Sequence, residues 1–123
     1  QTLIEYGLPT MIRSGALQID CVRLRVRLDG CDVALSAKEH AILRMLVENA
    51  GRVVGTRELL QHTWGTDRLD RASRVRQLVG RLRRKLRMTP DSAVRIQAEP
   101  QIGYRLRLPS GSSVGRAGGE ATG

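Results

Sequence analysis

Arg71-Ala-Ser-Arg-Val-Arg-Gln-Leu-Val-Gly-Arg-Leu-Arg-Arg-Lys-Leu-Arg-Met88 holds eight basic residues and no acidic one. Val75, Leu78, Val79, Leu82 and Leu86 recur in it at helical spacing. At about 100° per residue these five fall in one narrow stripe. Ser73, Gln77, Gly80, Arg81 and Arg84 lie on the opposite side, with Arg74 and Lys85 at one border and Arg76 and Arg83 at the other. A helix that packs by its stripe and offers Arg and Gln outward suits a DNA major groove, because Arg pairs two acceptors on guanine and Gln pairs adenine. A solvated basic helix carries the same charge run, so the flanking segments have to decide.

Downstream, Val94-Arg-Ile96 and Gly103-Tyr-Arg-Leu-Arg107 read as two strands joined by a turn containing Pro100-Gln101. Upstream, residues 65–70 form a loop, with Asp70 or Ala72-Ser73 near the start of the basic helix. Before the loop, a helix beginning at Gly55 or Thr56 buries Leu59 and Leu60 and ends at Trp64-Gly65. Val53-Val54 is a bridging strand. Ser36-Ala-Lys-Glu39 is a capping box that opens another helix, with Ile42, Leu43, Leu46, Val47 and Ala50 inward and Gly51 as a left-handed cap.

The first third is strand-like. Met11-Ile-Arg13 and Leu17-Gln-Ile19 are short strands around a Ser14-Gly15 turn. Val22-Arg-Leu-Arg-Val-Arg-Leu28 alternates without a break, and an Asp29-Gly30 hairpin turn leads it into Asp32-Val-Ala-Leu35. Its arginine face, Arg23, Arg25 and Arg27, reads as a solvated outer face, with an acidic partner domain as the alternative. Two helices joined by a loop and followed by a hairpin resemble a helix-turn-helix with a wing. The expected fold class is α+β: a winged helix-turn-helix over residues 11–108, with an N-terminal four-stranded antiparallel sheet, three helices and a C-terminal β-hairpin wing. Residues 1–10 read as a linker and 109–123, rich in Ser, Gly and Ala, as a disordered tail.

The chain has 123 residues, a net charge of +9 and a pI of about 11.1. That balance favours a polyanionic partner, nucleic acid or an anionic membrane. No apolar run approaches the roughly 18 residues of a membrane span. The sequence begins at Gln1 without a signal-peptide pattern, as a fragment or processed chain does. Cys21 and Cys31 lie on either side of the hairpin strand. In that register Cys21 falls opposite Lys38, so the two read as buried or half-buried free thiols in a reducing cytoplasm. With His40 and His62 scattered, they form no metal site, and no cofactor is expected. Aromatic residues are 2% of the chain and Phe is absent, which removes the stacking platform of an RNA binder. No nucleophile with a paired base, phosphate loop or carboxylate pair points to an enzyme.

Six segments in this order carry a family resemblance: Leu35-Ser-Ala-Lys-Glu39, Gly51-Arg-Val-Val54, Arg57-Glu-Leu-Leu60, Trp64-Gly65, Val79-Gly-Arg-Leu-Arg-Arg-Lys-Leu86 and Ile102-Gly-Tyr-Arg105. The chain resembles the DNA-binding effector domain of OmpR/PhoB-type bacterial response regulators. Gly80 and Ile102-Gly103 look most like the Kdp-type members. The resemblance implies that the basic helix enters the major groove of double-stranded DNA and the wing reaches the adjacent minor groove. It places Arg74, Gln77 and Arg81 at base-facing or groove-facing positions, and Trp64 and Arg83 at the DNA backbone. Ser73 belongs to the same outward face, Arg84 reads as a phosphate contact or free, and Gln101 sits in the wing where many members carry a basic residue. Gly80 stands where many members carry Arg, and Arg76 where an acidic residue is frequent. Trp64 has an alternative as a core plug, and Arg83 as an ion-pair partner of Asp67 or Asp70.

Family members bind as two copies head-to-tail on DNA, and touch RNA polymerase through the segment corresponding to 65–70. They usually follow an N-terminal receiver domain. This chain has no acidic cluster for a receiver, so no phosphorylation switch is expected within it, and residues 1–10 would be the remnant of a linker. The leading expectation is sequence-specific double-stranded DNA binding in a cytoplasmic two-component transcriptional regulator. The alternative is a winged-helix interaction module that holds RNA polymerase or a receiver domain.

Overall fold

A computed structural model describes residues 10–109. All but the first residue of the expected tail and all but the last residue of the expected linker lie outside the described residues. The chain divides into two compact units, one containing the described residues up to Ala34 and the other running from Leu35 to Leu108.

The first unit is an antiparallel sheet in the order β1 (Met11–Ser14), β2 (Leu17–Asp20), β3 (Arg25–Leu28), β4 (Cys31–Asp32). Its register aligns Ile12, Ile19 and Val26 in one cross-strand row, and all three are buried. The alternate row runs Arg13, Gln18, Arg27, Asp32. The Asp29-Gly30 turn is as expected: both residues have positive φ, 53° and 79°, which a two-residue hairpin turn requires.

The unbroken strand expected from Val22 to Leu28 is not there, because the chain turns between Cys21 and Leu24. Asp20 Oδ1 accepts from the N–H groups of Val22 and Arg23, both at 3.0 Å. A short acidic side chain at a strand end offers the backbone this local alternative to the ladder. Val22 is left 68% exposed, and Leu24 stays buried through a left-handed backbone at φ 52°.

Cys21 continues the β1 pairing by donating to Thr10 O at 3.0 Å, so it does not lie opposite Lys38. It is half-buried, and burial, then the Asp20 charge, push its thiol up to about 11. Cys31 is exposed rather than buried or half-buried, because it lies on the two-residue edge strand β4, which ends at Asp32 instead of running to Leu35 and has both residues exposed.

The second unit contains α1 (Ala37–Glu48), β5 (Val54–Gly55), α2 (Thr56–Trp64), a 3-10 turn (Leu69–Arg71), α3 (Ala72–Lys85), β6 (Arg95–Glu99) and β7 (Gly103–Arg107). The α1 capping box is complete: Ser36 Oγ accepts from Glu39 N at 3.1 Å, and Glu39 Oε1 accepts from Ser36 N at 2.9 Å. Helix α1 ends at Asn49, whose amide donates to Met45 O. Gly51, expected as the cap, instead donates to Leu106 O on β7 at φ 84°. Glycine caps α2 at Gly55, and Glu58 Oε1 accepts from the Gly55 N–H at 2.9 Å. The three helices pack on one another through Ile42, Leu43, Leu46, Leu59, Leu60, Val75, Val79 and Leu82, all buried. Each such side chain contributes about 1.5–3 kcal/mol of burial.

β5, β7 and β6 form a three-stranded antiparallel sheet in that order. Gly103 is what lets β5 join the wing. A Cβ there would collide with Val54 O and come within 2.8 Å of Gly55 Cα.

Candidate nucleic-acid interface

Helix α3 forms because its apolar residues match the helical period, and it buries Val75, Leu78, Val79 and Leu82 against α1, α2 and β6. Neither Asp70 nor Ser73 caps it: Asp70 is bonded to Arg68 at 2.8 Å, and Arg71 occupies the cap position without a side-chain bond. No carboxylate lies in the first turn. The partial positive charge of the helix start is therefore not offset from within the helix.

The buried stripe turns Ser73, Arg74, Arg76, Gln77, Arg81 and Arg84 outward, all exposed. The guanidinium groups of Arg74, Arg76, Arg81 and Arg84 have no hydrogen-bond or ion-pair partner among the described residues. Four guanidinium groups without counter-charges sit on one helix beside one exposed amide.

Two basic residues of the same helix are used internally. Arg83 is half-buried, and its Nε and Nη2 donate to Ile96 O at 3.0 and 2.8 Å. Its partner is thus a β6 carbonyl, not Asp67 or Asp70. Lys85 Nζ donates to Glu39 Oε1 at 2.6 Å. The Glu39 side chain is 3% exposed. Burial pushes its carboxyl up, but the Lys85 ammonium and the Ser36 N–H outweigh that and hold it below its ordinary value. These three bonds tie the end of α3 to the wing and to the start of α1.

Trp64 ends α2, half-buried rather than a full core plug, with Lys38 Nζ 5.9 Å from its ring centroid. Such an arrangement is a cation–π contact. Gln101 is exposed at the wing turn with a positive φ of 66°, beside Ile102, which is 60% exposed. In the wing, Glu99 accepts from Gln97 at 2.9 Å and from Arg105 at 2.9 Å, and these bonds lower its pKa.

Between the wing turn, the start of α2 and the start of α3 lies an open cleft of about 810 Å3, lined among others by Thr56, Arg57, Leu69, Arg76, Gln101 and Ile102. In the sequence, Arg57 stands out only as part of the segment Arg57-Glu-Leu-Leu60, and Arg76 by its place at the border of the α3 stripe and by its added charge. No cluster of three or more metal-ligating side chains exists among the described residues, and no described helix is long and apolar enough to cross a membrane.

Residues 30–106 match the family described as "Transcriptional regulatory protein, C terminal". The transcriptional regulatory protein KdpE of Mycobacterium tuberculosis is 33% identical over 96 residues, which cover 78% of this chain and 42% of that protein. The chain thus spans less than half the length of this relative. The structure of the Klebsiella pneumoniae RstA DNA-binding domain in complex with the RstA box superposes with a TM-score of 0.65 at 31% identity, covering 79% of this chain and 96% of that one. The Thermotoga maritima response regulator DrrB, an OmpR/PhoB homologue, gives a TM-score of 0.64 at 30% identity, covering 80% of this chain and 44% of that one. With α1–α3 and the β6–β7 hairpin arranged as in these domains, the chain belongs to the family of transcriptional regulatory protein C-terminal domains, in its OmpR/PhoB response-regulator branch.

Proposed function

We propose that the chain binds double-stranded DNA with sequence preference, α3 lying in the major groove and the β6–β7 wing reaching the adjacent minor groove. The observation that carries this is the exposed face of α3, where the guanidinium groups of Arg74, Arg76, Arg81 and Arg84 lack partners among the described residues beside Gln77. Unpaired arginines can neutralise phosphates without first giving up a carboxylate, and an exposed Gln or Arg can pair base edges. The RstA DNA-binding domain, whose superposable structure is a complex with the RstA box, supports DNA as the partner.

Gln77 and Arg81 face the base edges, one turn apart. Ser73, Arg74 and Arg84 serve the flanking phosphates, Trp64 approaches the backbone from the end of α2, and Gln101 enters the minor groove. Arg83 has one Nη left for a phosphate after bonding Ile96 O. Two copies assemble head-to-tail on a direct repeat. In the full protein a receiver domain precedes this one, and the segment 65–70, with Leu69 48% exposed, faces RNA polymerase. The setting is a cytoplasmic two-component regulator without enzymatic activity in this domain.

The test is a salt titration of binding to a duplex selected from a random pool. Contacts to about five to seven phosphates give a log–log slope of roughly −5 to −6. A slope near zero overturns the reading and leaves a protein-interaction module.

A further inference from the structure

We infer that the cleft between the wing turn and the start of α3 seats the sugar–phosphate strand that separates the two grooves, and that Arg57 and Arg76 are its phosphate contacts. This rests on the docking proposed above. A helix in a major groove and a wing in the neighbouring minor groove straddle one backbone strand. That strand has to cross the surface between them, and the surface is this cleft.

Its lining fits the occupant. Arg57 comes from the first turn of α2 and Arg76 from the second turn of α3, and both are exposed and line the same cleft. Neither has a hydrogen-bond or ion-pair partner among the described residues. The one acidic residue lining the cleft, Glu99, is already engaged by Arg105 and Gln97 and leaves both arginines uncompensated. Arg76 precedes Gln77 by one residue, about 100° around the helix. While Gln77 shares the outward face with Arg81, Arg76 leaves α3 on the wing side. Position 76 therefore takes no part in base readout.

The experiment measures Arg57→Ala, Arg76→Ala and Arg76→Lys in the 123-residue chain, on the selected duplex and on a scrambled one, across a salt series. Arg25→Ala is the control for the loss of any one positive charge. Both cleft arginines are exposed and unpaired, so the variants should melt like the parent. Each alanine variant is expected to bind about five-fold more weakly at 0.15 M salt, equally on both duplexes, with a slope shallower by about 0.9. Arg76→Lys and Arg25→Ala should keep the parental slope.

If the parent shows a steep slope and the alanine variants share it, the cleft does not hold the strand, although the DNA reading stands. If Arg76→Ala weakens only the selected duplex, Arg76 reads a base, and its assignment to the backbone is wrong. A parental slope near zero removes the DNA reading itself, and the cleft assignment with it.

Discussion

β3 with its preceding turn and helix α3 are both arginine-rich and both alternate charge with apolar residues, yet their charges have different fates. Arg23 is paired with Asp20 at 3.2 Å, and Arg25 and Arg27 share Asp32 at 3.1 and 3.2 Å. On α3 no ion pair engages Arg74, Arg76, Arg81 or Arg84 among the described residues. Surface ion pairs contribute little to stability, but they do decide which cations face solvent uncompensated. A phosphate meeting β3 displaces a carboxylate, whereas a phosphate meeting α3 displaces water and ions. A run of arginines therefore marks a polyanion site only where counter-charge is missing.

The largest effect follows from removing that free charge. Changing Arg74, Arg76, Arg81 and Arg84 together to Ala should flatten the salt slope by about 3, roughly 0.9 for each of the phosphate contacts Arg74, Arg76 and Arg84. The matched triple change of Arg23, Arg25 and Arg27 to Ala should leave the slope where it was. Equal flattening in both variants would mean that net charge, and not its placement, drives binding.

Arg81→Ala alone should weaken the selected duplex by about 1–3 kcal/mol and relax preference at one position. Arg84→Ala should instead weaken selected and scrambled duplexes alike and reduce the slope by about one. Equal losses on both duplexes for Arg81→Ala would place Arg81 on the backbone.

The two basic residues of α3 that are spoken for predict stability, not readout. Glu39→Ala removes the partner of Lys85 and half of the α1 capping box, and should cost about 1–3 kcal/mol in unfolding. Because the folded Glu39 carboxyl lies below its ordinary value of 4.5, its contribution is fully present above that value. It is lost as the pH falls through the lowered one. Denaturant melts of the parent and of Glu39→Gln should therefore converge on acidification. A constant gap between them down to strongly acidic pH would show that the pair is not what titrates.

The helices and the wing are legible in the sequence because their signals are local. Ser36 and Glu39 are three residues apart, Gly65 closes α2 directly, and the α3 stripe repeats within its own length. The break before β3 was hidden because its cause, Asp20, lies outside the alternating run, while Val22-Arg-Leu-Arg keeps the strand pattern across a turn. The site was legible in which residues α3 turns outward, and less so in what each of them meets. Arg83 finds a carbonyl 13 residues away and Lys85 a carboxylate 46 residues away. Such partners depend on how α1, α3 and β6 pack, and no spacing rule encodes them. Arg57 and Arg76 share a cleft for the same reason.

The smallest effect tests the β3–α3 contrast most directly. Asp32→Asn removes the carboxylate that Arg25 and Arg27 share, and leaves both guanidinium groups exposed. Their side-chain hydrogen bonds and charge hold the Asp32 carboxyl below its ordinary value, the Arg27 bond foremost, yet all three side chains are solvated, so the melting temperature should not move measurably. If placement on α3 matters as well as missing counter-charge, freeing the β3 arginines adds no phosphate contact. The salt slope on the selected duplex then stays at its parental value. A slope steeper by about one to two would mean that Asp32 alone keeps β3 silent, and that the sheet face is a second, masked contact for the polyanion.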